Sequence, residues 1–222
     1  MMILDWFTQI ARIPRPSYKP DGMLTFLKAF AHQRALPVIQ DAYGNMSIGT
    51  GDIILQAHID MVCQSDTAFD FEKNSITLVY DGEWLHADGT TLGADNGIGV
   101  AMMLYALDQG WPIKGLFTLD EEVGLKGAAA LEPELLKGIY LISLDNDHVD
   151  NVCIGCAGGV HMDIVVPVSW KKAKVATKTI SGLPGGHSGE DIDKNRPNAI
   201  LQAIQGEEAI GAINGGTAMN AI

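Results

Sequence analysis

The chain has 222 residues, 47% of them hydrophobic and 19% charged, with a formal net charge of −12 and an isoelectric point near 4.7. That is enough chain for a sizeable core, and the acidic balance argues against nucleic acid or an anionic membrane as partner. No apolar run reaches the length of a bilayer span, and Met1-Met2-Ile3-Leu4-Asp5-Trp6 lacks the basic start of a secretory signal. The three cysteines, Cys63, Cys153 and Cys156, are an odd set without disulfide-framework spacing, which points to a reducing cytoplasm. Cys153 lies in the apolar run Val152-Cys153-Ile154, so the expectation for this pair is buried thiols rather than a redox or zinc motif.

In chain order, Leu4, Phe7, Ile10 and Ala11 recur at helical spacing until Pro14 and Pro16 end the segment. Asp21 is placed to cap a second helix, with Leu24, Leu27, Phe30 and Ala31 on one face. Short strands are predicted at 38–40 and 46–48, across the turn Tyr43-Gly44-Asn45. The run Ile53-Ile54-Leu55-Gln56-Ala57 has the nearly continuous apolar character of a buried parallel strand, and it delivers His58-Ile59-Asp60. Segments 76–80 and 83–87 read as a hairpin across Asp81-Gly82.

The stretch Gly89-Thr90-Thr91-Leu92-Gly93-Ala94-Asp95-Asn96-Gly97-Ile98-Gly99 sets four glycines around one acid and leads into a helix predicted from Ile98 to Asp108. Ile98, Ala101, Met102 and Tyr105 form the expected apolar stripe, and Met102 and Met103 are expected to be core filler. A carboxylate at a helix start, held by rigid backbone, is suited to bridge cations, although a glycine-rich turn with a capping Asp would give the same pattern. Strand 115–119 then ends in Asp120-Glu121-Glu122, and strand 140–144 ends in Asp145-Asn146-Asp147, with an interrupted helix over 125–136 between them. Strands alternating with helices indicate an α/β three-layer sandwich with a largely parallel sheet. Beyond about Gly158 the pattern changes to half-exposed strands (160–166 and 174–180) and a helix over 197–205. The predicted division is therefore a first domain over 1–157 and the beginning of a smaller α+β domain over 158–222.

Three strands thus end in His58 and Asp60, in Glu121 and Glu122, and in Asp145, and ligands of open α/β sheets bind beyond such ends. So many acids at one edge imply cations to neutralise them. His58 can ligate while Asp60 holds its other nitrogen, and Asp95 can bridge two ions. One of Glu121 and Glu122 can ligate while the other takes a proton from a bridging water, and Asp145 adds a further oxygen. Imidazole with carboxylates fits zinc, with cobalt or manganese as alternatives.

These segments, with Gly185-Gly186-His187-Ser188-Gly189, resemble the cocatalytic dinuclear metallopeptidases, and within them the bacterial aminoacyl-histidine dipeptidase branch. The likeness runs in order along nearly the whole chain. It implies a zinc-exopeptidase-like catalytic domain and a lid, and two divalent ions per complete site. His58 and Asp145 would be terminal ligands of one ion, Asp95 the bridge, Glu122 a ligand of the second ion, Glu121 the general base and Asp60 the residue orienting His58. It further implies substrate contacts from His187 and Asn220, a cis Asp95–Asn96 peptide, and a homodimer formed through the lid. The activity implied is hydrolysis of dipeptides, especially those ending in histidine. An aminotripeptidase, an N-acyl amino-acid deacylase, or an impaired paralogue acting as a non-enzymatic module are the alternatives.

Such proteins are about twice as long and return to the catalytic domain to supply a further histidine to the second ion. None of His32, His86, His148 and His161 fits that role, and the chain stops at Asn220-Ala221-Ile222. The expectation is an N-terminal fragment or truncated product with an incomplete second metal site and poor dipeptidase activity.

Overall fold

The computed structural model describes residues 1–146 and 150–155, and thereafter 165–167, 169, 171–172, 174, 179–184, 192–199 and 201–202. The chain divides into two units, Met1–Asn151 and Val152–Ile222. The first opens with α1 (Ile3–Ala11), where the Met2 N–H donates to the Asp5 carboxylate at 2.8 Å, and α2 (Asp21–Gln33). Trp6, Phe7, Ile10 and Ala11 are the buried face of α1, while Leu4, read as part of that stripe, is half exposed. Asp21 is not the cap of α2 but its first residue, after Pro20, and contributes negative charge to the first turn.

Strands β1 (Val38–Gln40), β2 (Met46–Gly49) and β3 (Ile53–His58) follow, then the antiparallel hairpin of β4 (Leu78–Tyr80) and β5 (Leu85–Ala87). Helix α3 (Ala94–Asp108), β6 (Ile113–Thr118), the short α4 (Lys126–Ala129), a 3₁₀ turn (Pro133–Leu136) and β7 (Tyr140–Ser143) complete the unit. The main sheet has the order β1-β2-β6-β3-β7. It is mixed: β6, β3 and β7 run parallel, whereas β1 pairs with β2, and β2 with β6, antiparallel. The β1–β2 pair is antiparallel because its connection is short, which a hairpin can make and a crossover cannot.

Alternation along β3 and β6 fixes which face each side chain serves. Ala57 and Phe117 join Phe7, Leu27, Phe30, Val100 and Leu104 in the main core on the side of α1, α2 and α3. Ile54 and Leu116 point the other way, onto Leu135 of the 3₁₀ turn and Leu131. The unit is an α/β fold in which β3 and β6 pack on both faces while the edge strand β7 is exposed, and truncating a fully buried ring such as Phe117 would cost about 3–5 kcal/mol.

Two burial expectations change. In α3 the buried residues are Val100, Ala101, Met103, Leu104, Ala106 and Leu107, while Met102 and Ile98 are about 40% exposed. The helix is apolar nearly all round, so periodicity could not choose its inner face; packing against β3, β6 and α1 does. Cys153 is exposed, as are Val152 and Ile154, because three apolar residues in a row do not bury themselves without a pairing strand, and none is present among the described residues. Cys63 and Cys153 are both free thiols.

In the second unit Asn198 Oδ1 accepts the Leu201 N–H at 3.1 Å, at the start of a helical turn. The strands expected over 160–166 and 174–180 fall largely outside the described residues. No helix among the described residues is long and apolar enough to cross a membrane.

Candidate metal centre

The parallel trio carries its acids to one edge. β3 stops at His58, β6 runs on through Leu119 into Asp120-Glu121-Glu122, and β7 leads to Asp145. The pairing continues just past the strands: Ile59 N–H donates to the Thr118 carbonyl at 2.9 Å and Leu144 N–H to that of Gln56 at 2.8 Å. Asp95 reaches the same place from the glycine-rich loop. Gly93 takes the left-handed conformation (φ 67°) at the start of α3, Asp95 and Asn96 have non-helical dihedrals, and the Asp95–Asn96 peptide is cis.

His58 is fully buried, and its Nε2 is the hub. It lies 2.9 Å from Asp95 Oδ1, 3.8 Å from Glu121 Oε2 and 3.9 Å from Asp145 Oδ2. Its Nδ1 faces the Asp60 carbonyl at 3.1 Å and the Asp60 carboxylate at 3.4 Å. A proton held at Nδ1 by Asp60 leaves the Nε2 lone pair turned into the acidic edge, as a ligand needs. One ligating atom each from His58, Asp95 and Glu122 lie within 4.8 Å of one another.

Asp60 is more than a partner for His58. Its two oxygens accept the backbone N–H of Glu121 at 3.1 Å and of Glu122 at 3.3 Å, and the Ser17 hydroxyl at 2.7 Å. Burial opposes its ionisation, but the bonds from His58, Ser17 and Glu121 outweigh it and lower its pKa. Glu122 is tied to the Val62 N–H at 3.2 Å, whereas Glu121 faces His58, so the neighbouring glutamates do point differently.

The electrostatics show a site with too much negative charge. Burial, then the Asp95 charge, push the Glu122 carboxyl up to about 7. Burial, reinforced by Asp145 and Asp95 against the pull of His58, raises Glu121 as well. Burial disfavours charge on His58, yet the hydrogen bonds to Asp60 and Asp95 and the Asp145 charge raise it to about 10. Asp95 is lowered, chiefly by its bond to His58. The donor set, one imidazole nitrogen and several carboxylate oxygens whose mutual repulsion a cation would relieve, fits divalent metal.

Six residues singled out in the sequence therefore meet here: His58, Asp60, Asp95, Glu121, Glu122 and Asp145. His187 and Asn220 lie outside the described residues. Sequence reasoning missed Ser17 and Asp120. Asp120 is buried with a left-handed backbone (φ 54°), and its carboxylate accepts the Tyr18 N–H at 2.6 Å and the Tyr43 hydroxyl at 2.9 Å. Burial, then that bond to Asp120, push the Tyr43 phenol up to about 12. The available signal was an acid immediately before Glu121 that the ligand assignment left unused.

No family model matches the chain. It is 37% identical over 248 residues to the cytosol non-specific dipeptidase of Escherichia coli K12, covering 98% of this chain and 50% of that protein. The crystal structure of aminoacylhistidine dipeptidase from Vibrio alginolyticus matches with a TM-score of 0.67 at 33% identity, over 92% of this chain and 46% of that one. The chain belongs to the family of these two dipeptidases. It spans about half the length of each. A tripeptidase from Staphylococcus aureus shares the fold, with a TM-score of 0.56 at 24% identity over 66% of this chain and 43% of its own. Within the dipeptidase family, the order in which β3, α3, β6 and β7 bring their residues to one edge is the organising feature of this chain's first unit.

Proposed function

We propose that this chain carries the metal-binding and proton-transfer residues of a dipeptidase, with dipeptides ending in histidine among its substrates. The observation that carries the reading is the convergence of His58, Asp95 and Glu122 within 4.8 Å, with Glu121 alongside. The two dipeptidase relatives support it. His58, Asp95 and Asp145 would hold one divalent ion, and Asp95 and Glu122 would reach a second, with Asp95 between them. Zinc suits this donor set, with cobalt or manganese as alternatives. Such ions, when bound, supply Lewis-acid activation of a water and compensation for charge that develops on the peptide carbonyl.

The chain's own residues do the rest. Asp60 fixes the imidazole of His58 and, through the backbone of 121 and 122, the position of both glutamates. Glu121 takes the proton of the attacking water and can pass it to the leaving amine, a task suited to a carboxylate whose pKa is raised. His187 and Asn220, in a lid domain over 158–222, are assigned to substrate contact, and pairing of two copies through that domain would make a homodimer. A cytoplasmic setting is in keeping with the Escherichia coli relative's name.

The test is metal analysis of the purified full-length protein together with hydrolysis of a panel of dipeptides and tripeptides. Bound zinc-like metal with turnover of Xaa-His dipeptides is the expected result. Absence of metal from protein purified without chelator, or turnover of tripeptides alone, would defeat the reading.

A further inference from the structure

Four consecutive residues outside the ligand set, Arg15 to Tyr18, touch the segments that bring the ligands in. Arg15 Nη1 donates to the carbonyls of Ile59 at 3.2 Å and Asp60 at 3.0 Å, and its Nη2 donates to the carbonyl of Gly93. Pro16 pairs with Met61 in a parallel bridge. The Ser17 hydroxyl donates to Asp60 Oδ2 at 2.7 Å, and the Tyr18 N–H to Asp120 Oδ1 at 2.6 Å. The segment of His58 and Asp60, the loop of Asp95 and the turn of Glu121 and Glu122 are thus joined through one short strap.

Arg15 is only 2% exposed. A buried guanidinium is costly unless anions and acceptors surround it. Here Asp60, Asp95 and Glu122 favour its charge, and although burial lowers its pKa to about 10, it stays cationic at neutral pH. The guanidinium is a rigid planar fork, so one edge can grip the 59–60 backbone while the other holds Gly93. The loop has been thinned to admit it: Gly93 has a φ of +67°, and a Cβ on Gly97 would stand 2.8 Å from Arg15 Nη2.

We infer that Arg15 and Ser17 are positioning residues of the metal centre: Arg15 locks the Asp95 loop to the His58–Asp60 segment, and Ser17 fixes the carboxylate that holds His58 and the Glu121–Glu122 turn. This rests on the reading of the site as a metal centre. Two effects of Arg15 oppose each other. Its charge, taken alone, repels a cation, so deleting it would tighten metal binding. Its fork sets the spacing of the ligands, so deleting it loosens binding. The geometry, with three backbone acceptors on one guanidinium, makes spacing the dominant effect.

The experiment is titration of the full-length, metal-stripped protein with Co²⁺, followed by visible absorption at a temperature well below the melting point of every variant. Arg15→Met and Arg15→Lys should each bind Co²⁺ about 10–100-fold more weakly, the range for losing a group that orients ligands, with a shifted ligand-field band. Ser17→Ala should weaken binding in the same direction, by about tenfold. Tighter Co²⁺ binding by Arg15→Met would overturn the inference in favour of a pure charge effect. Wild-type affinity and spectrum in all three variants, with only a lower melting temperature, would reduce the strap to ordinary scaffolding. Should the Arg15 variants not fold, an unchanged affinity and spectrum in Ser17→Ala would overturn it. Failure of the wild-type protein itself to take up Co²⁺ would instead remove the metal-centre reading.

Discussion

The Asp60 carboxylate accepts the backbone N–H of Glu121 at 3.1 Å, so the side chain beside His58 Nδ1 also sets the candidate base. Ligand and base are thereby placed by one group. Replacing it should disturb both. Asp60→Asn keeps the shape but presents one acceptor oxygen where two now serve Glu121, Glu122 and Ser17. Metal affinity should fall about 10–100-fold, and unfolding free energy by about 1–3 kcal/mol as a buried donor loses its partner. Metal titration and urea unfolding on the same sample check this, and an unchanged metal affinity would confine Asp60 to shaping the turn.

Glu121→Gln should keep metal content near wild type and reduce dipeptide turnover in the full-length protein about 10²–10⁴-fold, the usual span for losing a general base. Glu122→Gln should lower metal content instead. The assignment of separate roles fails if the first substitution strips the metal or the second leaves it in place.

Metal uptake should depend on pH in a definite direction. Both His58, raised to about 10, and Glu122, raised to about 7, must lose a proton to ligate. Below pH 7 both hold their protons, so acid competes with metal and affinity rises with pH. Near pH 6 uptake should release about two protons, falling toward about one by pH 8 as Glu122 ionises unaided. Calorimetry in two buffers of different ionisation enthalpy counts those protons, and an affinity flat between pH 6 and 8 would contradict this picture.

Asn45 tests the scaffold below the site. It is fully buried, donates to Asp41 Oδ2 at 2.7 Å and to the Gly127 carbonyl at 2.9 Å, and accepts the Leu119 N–H at 3.1 Å. Asn45→Ala strands the Gly127 carbonyl and the Leu119 N–H and should cost about 2–6 kcal/mol by urea unfolding, from roughly 1–3 kcal/mol for each unpaired buried group. A loss below about 1 kcal/mol would mean that water or a local shift re-pairs them.

The parts of this fold that could be read from sequence are those whose cause is local. The nearly continuous apolar run of β3 and the acids ending β6 and β7 mark parallel strands and their carboxyl ends without reference to the rest of the chain. The inner face of α3 could not be read, since Ile98 and Met102 are as apolar as Val100 and Met103, and only the packed sheet distinguishes them. Arg15 and Ser17 were illegible for a related reason. Their meaning lies in partners far along the chain: Ser17 and Asp60 are 43 residues apart, and Arg15 and Gly93 are 78 apart. Nothing in Pro14-Arg15-Pro16-Ser17 beyond a helix stop announces those contacts.

The bond from Tyr18 to Asp120 joins residues 102 positions apart. During synthesis at roughly 5–20 residues per second, Tyr18 is made about 5–20 s before Asp120. The strap is among the first segments to emerge and among the last to find all its partners. We expect no templating of this site by a cation on the nascent chain, since Glu121 and Glu122 reach it only once β6 has joined β3. Refolding of the stripped protein should accordingly proceed at the same rate with or without Zn²⁺, while unfolding slows when Zn²⁺ is bound. On the metal-centre reading, the ion would enter a finished socket and act afterwards as a lock on it.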